Sequence, residues 1–336
     1  MTVSVSYVTE FGSGDISWAM RLAVDPTNGD VLVGDDSAGS VLRYDSGGVL
    51  LDTYAIATGV EGISGISVSA SGKIWVTNFF TDNTAPSLYR LSADGTYEAG
   101  YYAGPFAATT AILEPNYVHV GTDGKIYVAS TFYSCFSSPP ILRAVGVRLA
   151  ADASYERDFG EFIDCTAAYP LTPPDGKFVV PASIAVDSLG SVYVADLYSA
   201  GPYPTVPRYK VIHKFNDAGT FQVKFGGVGT GDGQFGASGL TTWYGDGMGM
   251  AIDADDNIYV ADTYGGKVNI YDTSGSFQSA FGIDEAMSYP GDVACGTDGR
   301  VYVVDGDRVL VYQLNGGGAG LHVRGVTVEM CGEVPC

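Results

Sequence analysis

Met250-Ala251-Ile252-Asp253 and Ile258-Tyr259-Val260-Ala261-Asp262 decide how this chain folds. Each run alternates its side chains with period two, and Ala254-Asp255-Asp256-Asn257 between them is turn chemistry, so the pair reads as a β-hairpin. The pattern recurs at Leu22–Asp25 with Val31–Asp35, Ile66–Ser69 with Ile74–Asn78, and Val118–Gly121 with Ile126–Ser130. It returns again at Ile184–Asp187 with Val192–Asp196 and at Val293–Gly296 with Val301–Asp305. A third apolar run follows each hairpin, as in Val41-Leu42-Arg43-Tyr44 and Val268-Asn269-Ile270-Tyr271. Four short strands in about 40–45 residues, wherever no insertion intervenes, is the spacing of a propeller blade. The expected fold is all-β: a six-bladed β-propeller of four-stranded antiparallel blades.

The outer strands show how the ring closes. Tyr155-x-x-x-Phe159-Gly160, Phe221-x-x-x-Phe225-Gly226 and Phe277-x-x-x-Phe281-Gly282 mark the fourth strand of three units. The same pattern stands at Tyr7-x-x-x-Phe11-Gly12, ahead of the first hairpin, while the last unit lacks it after Val309-Leu310-Val311-Tyr312. Residues of about 4–11 are therefore expected to supply the outer strand of the last blade. The propeller spans 1–316. Residues 317–336 form a Gly-rich linker and a strand-like, Cys-containing tail, suited to self-association or to joining a further domain.

With 17 Lys+Arg against 38 Asp+Glu, the formal charge is −21. That sign opposes nucleic acid, which needs clustered cations to displace counterions, and no run is long and apolar enough for a membrane helix. The five cysteines lack zinc-site spacing. Cys135 with Cys165 and Cys331 with Cys336 are disulfide candidates in the readiest pairing, which favours an extracellular or cell-surface setting. Cys295 falls in an apolar strand column and reads as a buried thiol.

Phe225-Gly226-Gly227-Val228-Gly229-Thr230-Gly231-Asp232-Gly233-Gln234-Phe235, followed by Ile258-Tyr259-Val260-Ala261-Asp262-Thr263, resembles the inter-blade signature and core of the NHL-repeat propellers. The resemblance covers roughly 4–315 and implies the six-bladed ring. For function it implies only a range: extracellular sensors, scaffolds, an amidating lyase with a histidine-held metal, and RNA-binding modules. The acidic charge opposes the last, and three histidines (His119, His213, His322) oppose the lyase.

Two sets of residues invite chemistry. The position after each second strand holds Asp35, Asn78, Ser130, Asp196, Asp262 and Asp305. A ring of carboxylates suits a divalent cation, but recurrence in nearly every repeat points to side chains that cap turns. Asp253–Asn257 resembles a calcium loop only in composition, since the glycine and distal glutamate are missing. The second set lies on the innermost strands, where a column of small residues (Ala23, Ser67, Ala185, Ala251, Ala294) is broken by His119. Arg21, Tyr117 and Asp292 stand close by on the same strands, with Asn116 one step earlier. Together they suit acid–base work at the mouth of a central channel, or simply a hydrogen-bonded His plugging it with water.

The insertions favour a non-enzymatic binding or scaffold module without a cofactor. It would meet a protein or glycan partner through Tyr133, Phe136, Tyr198, Tyr203, Trp243 and Tyr244 on its inserted loops. The alternative is a metal-dependent hydrolase or lyase at the channel mouth, built on His119, Arg21, Asp292 and Tyr117.

Overall fold

In the computed structural model the protein is described over residues 3–56, 62–79, 86–101, 115–134, 141–162, 174–199, 208–236, 248–283 and 287–315. Six four-stranded antiparallel sheets form the blades of a β-propeller. Their innermost strands are Ala19–Val24, Ile63–Val68, Pro115–Val120, Val180–Val186, Met250–Ile252 and Pro290–Cys295, belonging to blades 1 to 6 in that order. The face on which these strands begin is the upper face.

Ring closure is as expected. Ser4–Phe11 pairs antiparallel with Arg308–Asn315, from Ser4 against Asn315 to Phe11 against Val309, and completes blade 6. The only other sheet among the described residues is a small parallel pair, Glu161–Phe162 with Lys177–Phe178.

The core is divided into six wedges between consecutive blades. Leu22, Val33 and Tyr44 of blade 1, for example, pack against Tyr302, Val304 and Val309 of blade 6. Size alternation in the sequence makes the wedges fit, since each small inner residue faces a large one on the second strand. Ala185 lies opposite Tyr193, Ala251 opposite Tyr259, and Ala294 opposite Tyr302. The buried tyrosines need a polar partner for the hydroxyl. Tyr193 donates to Asp187 at 3.0 Å and Tyr259 to Asp253 at 2.9 Å, each in the preceding turn. The Asp253–Asn257 turn is thus ordinary architecture, with Asp253 also accepting from the backbone of Asp255 and Asn257. Cys295 is a free thiol packed at the edge of the wedge between blades 5 and 6.

One irregularity recurs. Five inner strands carry a bulge near their start, between Ala19 and Arg21, Ile63 and Gly65, Pro115 and Tyr117, Pro181 and Ser183, and Pro290 and Asp292. A bulge bends the strand and re-aims the side chain beside it. The residues so aimed include Arg21, Tyr117 and Asp292.

Candidate functional site at the upper channel mouth

Tyr117 crosses the axis. From blade 3 its hydroxyl donates to Asp292 Oδ1, on the opposite blade, at 2.9 Å. The aspartate also accepts from the backbone N–H of Val293 at 2.9 Å and of Leu22 in blade 1 at 3.3 Å. Arg21 lies over the Tyr117 ring, its guanidinium carbon 5.4 Å from the centroid, and donates to the carbonyls of Ser64 and Met20 at 2.6 and 2.9 Å. All three side chains are buried. Glycine provides the space: a Cβ at Gly249 would collide with the Asp292 carboxylate, and one at Gly65 with the backbone of Val118.

Burial is the largest influence on Asp292 and raises its pKa to about 7, against the opposing pull of Arg21 and its hydrogen bonds. The Tyr117 hydroxyl is pushed well above its ordinary value by burial and by Asp292. A proton-carrying carboxyl, a phenol and a fixed cation thus form the floor of the upper mouth. Asp36 joins them from the turn after the second strand of blade 1. It is half-buried, and burial raises its pKa against a backbone hydrogen bond from Ile63 and the charge of Arg21.

His119 stands one layer below this floor, half-buried, with no hydrogen bond to a described residue. Burial lowers its pKa to about 4, so it is a neutral imidazole at neutral pH. In the layer above it, Tyr117 and Asp292 meet across the axis.

The repeated carboxylates hold architecture. Asp35 accepts from Ser17 N at 2.8 Å, Asp196 from Val179 N and Val180 N at 3.0 and 2.8 Å, and Asp262 from Gly236 N at 2.8 Å. Asp305 accepts from Ser288 N and Tyr289 N at 3.2 and 2.5 Å. Each therefore pins the segment leading into an inner strand or beside it, rather than capping only its own turn. Among the described residues no three His, Cys, Asp or Glu side chains converge as a metal's ligand set would.

Of the aromatic residues expected on inserted loops, Phe136, Tyr203, Trp243 and Tyr244 lie outside the described residues. Tyr133 and Tyr198 lie in the strands Ile126–Ser134 and Val192–Ser199, their side chains undescribed. Cys135, Cys165, Cys331 and Cys336 and the tail from 316 onward are also outside. No described helix is long and apolar enough to cross a membrane.

No family model and no curated protein sequence matches the chain. Solved structures do. A gluconolactonase from Xanthomonas campestris superposes with a TM-score of 0.59 at 16% identity, over 89% of this chain and 87% of that one. The virginiamycin B lyase of Staphylococcus aureus gives 0.52 at 12%, over 88% and 80%. A streptogramin B lyase gives 0.50 at 15%, over 88% and 78%. At such identities the likeness establishes the six-bladed propeller. These neighbours are enzymes, and they overturn the expectation of a non-enzymatic scaffold presenting loops. The physical reason that expectation failed is that it weighed loop aromatics above the charged floor on the axis.

Proposed function

We propose that the protein is a hydrolase or lyase acting at the upper channel mouth by acid–base chemistry. The observation that carries this reading is the floor, where Asp292 holds a proton near neutrality beside a fixed Arg21 and the Tyr117 hydroxyl. The lactonase and lyases built on the same ring support it. NHL-type membership of the ring, on the Phe225–Phe235 signature, and an extracellular setting are part of the same proposal.

One acid, one base and one cation serve both reaction types. In ring-opening hydrolysis, Asp36 takes a proton from water as its oxygen adds to the ester carbonyl. Arg21 stabilises the oxyanion. The Tyr117 hydroxyl turns its proton from Asp292 to the departing alkoxide and takes the Asp292 proton in its place; Asp36 then gives up the proton taken from water, Asp292 regains one from solvent, and water is added across the broken C–O bond. In elimination, Asp36 removes a carbon-bound proton, a C=C bond forms as C–O breaks, and the same relay protonates the leaving oxygen.

The test is turnover of aldonolactones, simple cyclic esters and a streptogramin B depsipeptide. Activity on one of these classes should fall above about pH 7, as Asp292 loses its proton. Asp292→Asn should lower kcat by about 10²–10⁴-fold. No turnover of any class, or a wild-type rate in the Asn variant, defeats the reading.

A further inference from the structure

The hairpin turns that join inner to second strands lie on the lower face, opposite the channel mouth. Five of the six carry a carboxylate, at Asp25, Asp123, Asp187, Asp253 and Asp298. The turn of blade 2, Ser69-Ala70-Ser71-Gly72-Lys73, carries none and ends on a lysine. The second strand that follows departs from the repeat in the same way. Tyr127, Tyr193 and Tyr259 give their hydroxyls to the turn acids Asp123, Asp187 and Asp253. Blade 2 has Trp75 at that position, a ring without a hydroxyl to satisfy.

A groove of about 550 Å³ opens at this turn, between blades 2 and 3. Ser69, Ser71 and Lys73 of the turn line it, with Trp75, Arg90 and Glu98 from the three strands that follow. Gly124 and Ala151 of blade 3 form the far wall. Arg90 lies opposite Trp75 in register, its guanidinium carbon 5.6 Å from the ring centroid. Arg90 Nε donates to Glu98 Oε2 at 3.0 Å, and Lys73 Nζ donates to Glu98 Oε1. The Arg90 guanidinium makes no other hydrogen bond to a described residue, so its two terminal nitrogens keep their donors. The Ser69 and Ser71 hydroxyls stand 3.0 Å apart beside them.

We infer that this groove binds a small organic monocarboxylate. Two cations meet one carboxylate here, which leaves one positive charge unmatched in a chain whose formal charge is −21. A monoanion balances that excess, whereas a dianion would restore the acidic surplus that the rest of the surface presents. The acids nearest the far wall are engaged within their own turns. Asp123 accepts from Lys125 N and the Tyr127 hydroxyl, and Asp152 from Ser154 N and its hydroxyl. The guanidinium fork matches the two oxygens of a carboxylate. Ala70, Ala151 and the stems of Lys73 and Arg90 offer apolar surface to its carbon body. The side chains of Lys73, Arg90 and Glu98 are partly exposed. Ion pairs of that kind hold weakly, so a ligand can share the two cations with Glu98. Binding on this face is independent of the reaction proposed for the opposite one.

Saturation-transfer NMR titration of the full chain with benzoate and hexanoate tests it. At least one should bind with a Kd on the order of 1 mM. Benzyl alcohol, which keeps the ring of benzoate and lacks its charge, should bind about tenfold more weakly or worse. Arg90→Gln and Lys73→Gln should each weaken carboxylate binding about fivefold or more. Glu98→Gln should act in the opposite direction, tightening it about threefold or more, because both cations are released to the ligand. A variant that merely loosened the groove would not gain affinity. No binding of either carboxylate at about 10 mM overturns the inference. So does binding that both cation variants leave intact, binding that Glu98→Gln fails to tighten, or benzyl alcohol binding as well as benzoate. Inorganic phosphate binding more tightly than either carboxylate overturns it as well.

Discussion

Asp262 and Asp196 occupy the same position in consecutive blades, yet their surroundings differ completely. Asp262 accepts from Gly236 N through both oxygens and faces the buried Lys210 ammonium, 3.6 Å away, which reaches it from blade 4. Asp196 gives one oxygen to Val179 N and Val180 N, while its other oxygen is buried without a hydrogen-bond partner. Burial drives the Asp196 pKa up to about 8, so it carries a proton at neutral pH. The backbone role belongs to the repeat. The charge state is set by whatever the neighbouring blade presents.

The comparison breaks most sharply at Lys210. Lys210→Met leaves the Asp262 charge buried without its cation, and stability should fall by about 3–5 kcal/mol in chemical denaturation. A loss under about 1 kcal/mol would mean that the two positions do not differ in charge.

Asp196→Asn sharpens the same contrast with the opposite sign. The folded pKa of about 8 lies above the ordinary 3.8. The unfolded chain thus releases a proton that the fold retains, and wild-type stability declines as pH rises from about 4 to 8. Asn mimics the neutral acid and escapes that decline. The variant should match wild type near pH 4 and gain on it progressively as pH rises to about 8. A difference that does not change with pH would show that Asp196 is ionised throughout.

The smallest expected effect is at the axis. Tyr117→Phe removes one buried hydrogen bond and leaves Asp292 its two backbone donors, so about 1 kcal/mol should be lost. Turnover should suffer far more than stability, because the relay hydroxyl is gone. Equal losses in both would reduce Tyr117 to a structural plug.

The fold was legible because hairpins repeat and small inner residues recur opposite large ones. Closure was legible from Tyr7-x-x-x-Phe11-Gly12 standing where no other strand could use it. Half of the mouth was legible too, since Arg21, Tyr117 and Asp292 are large or charged on strands that otherwise carry small residues toward the axis. Strand parity shows that His119 also points inward, but not that Tyr117 and Asp292 meet in the layer above it. Asp36 was missed for a different reason: it lies in a connection outside the repeat pattern.

That closure also sets how the molecule responds to force. Because Ser4 pairs with Asn315, the chain leaves the two ends of the ring side by side, at the same end of one ladder. Heat must disrupt the wedges and the ladder together. A pull on the two ends instead loads a single rung at a time, beginning at Ser4–Asn315 and running toward Phe11–Val309. The clasp that makes the ring cooperative in solution is therefore its weakest element under tension, and stretching should peel it open before any blade is sheared.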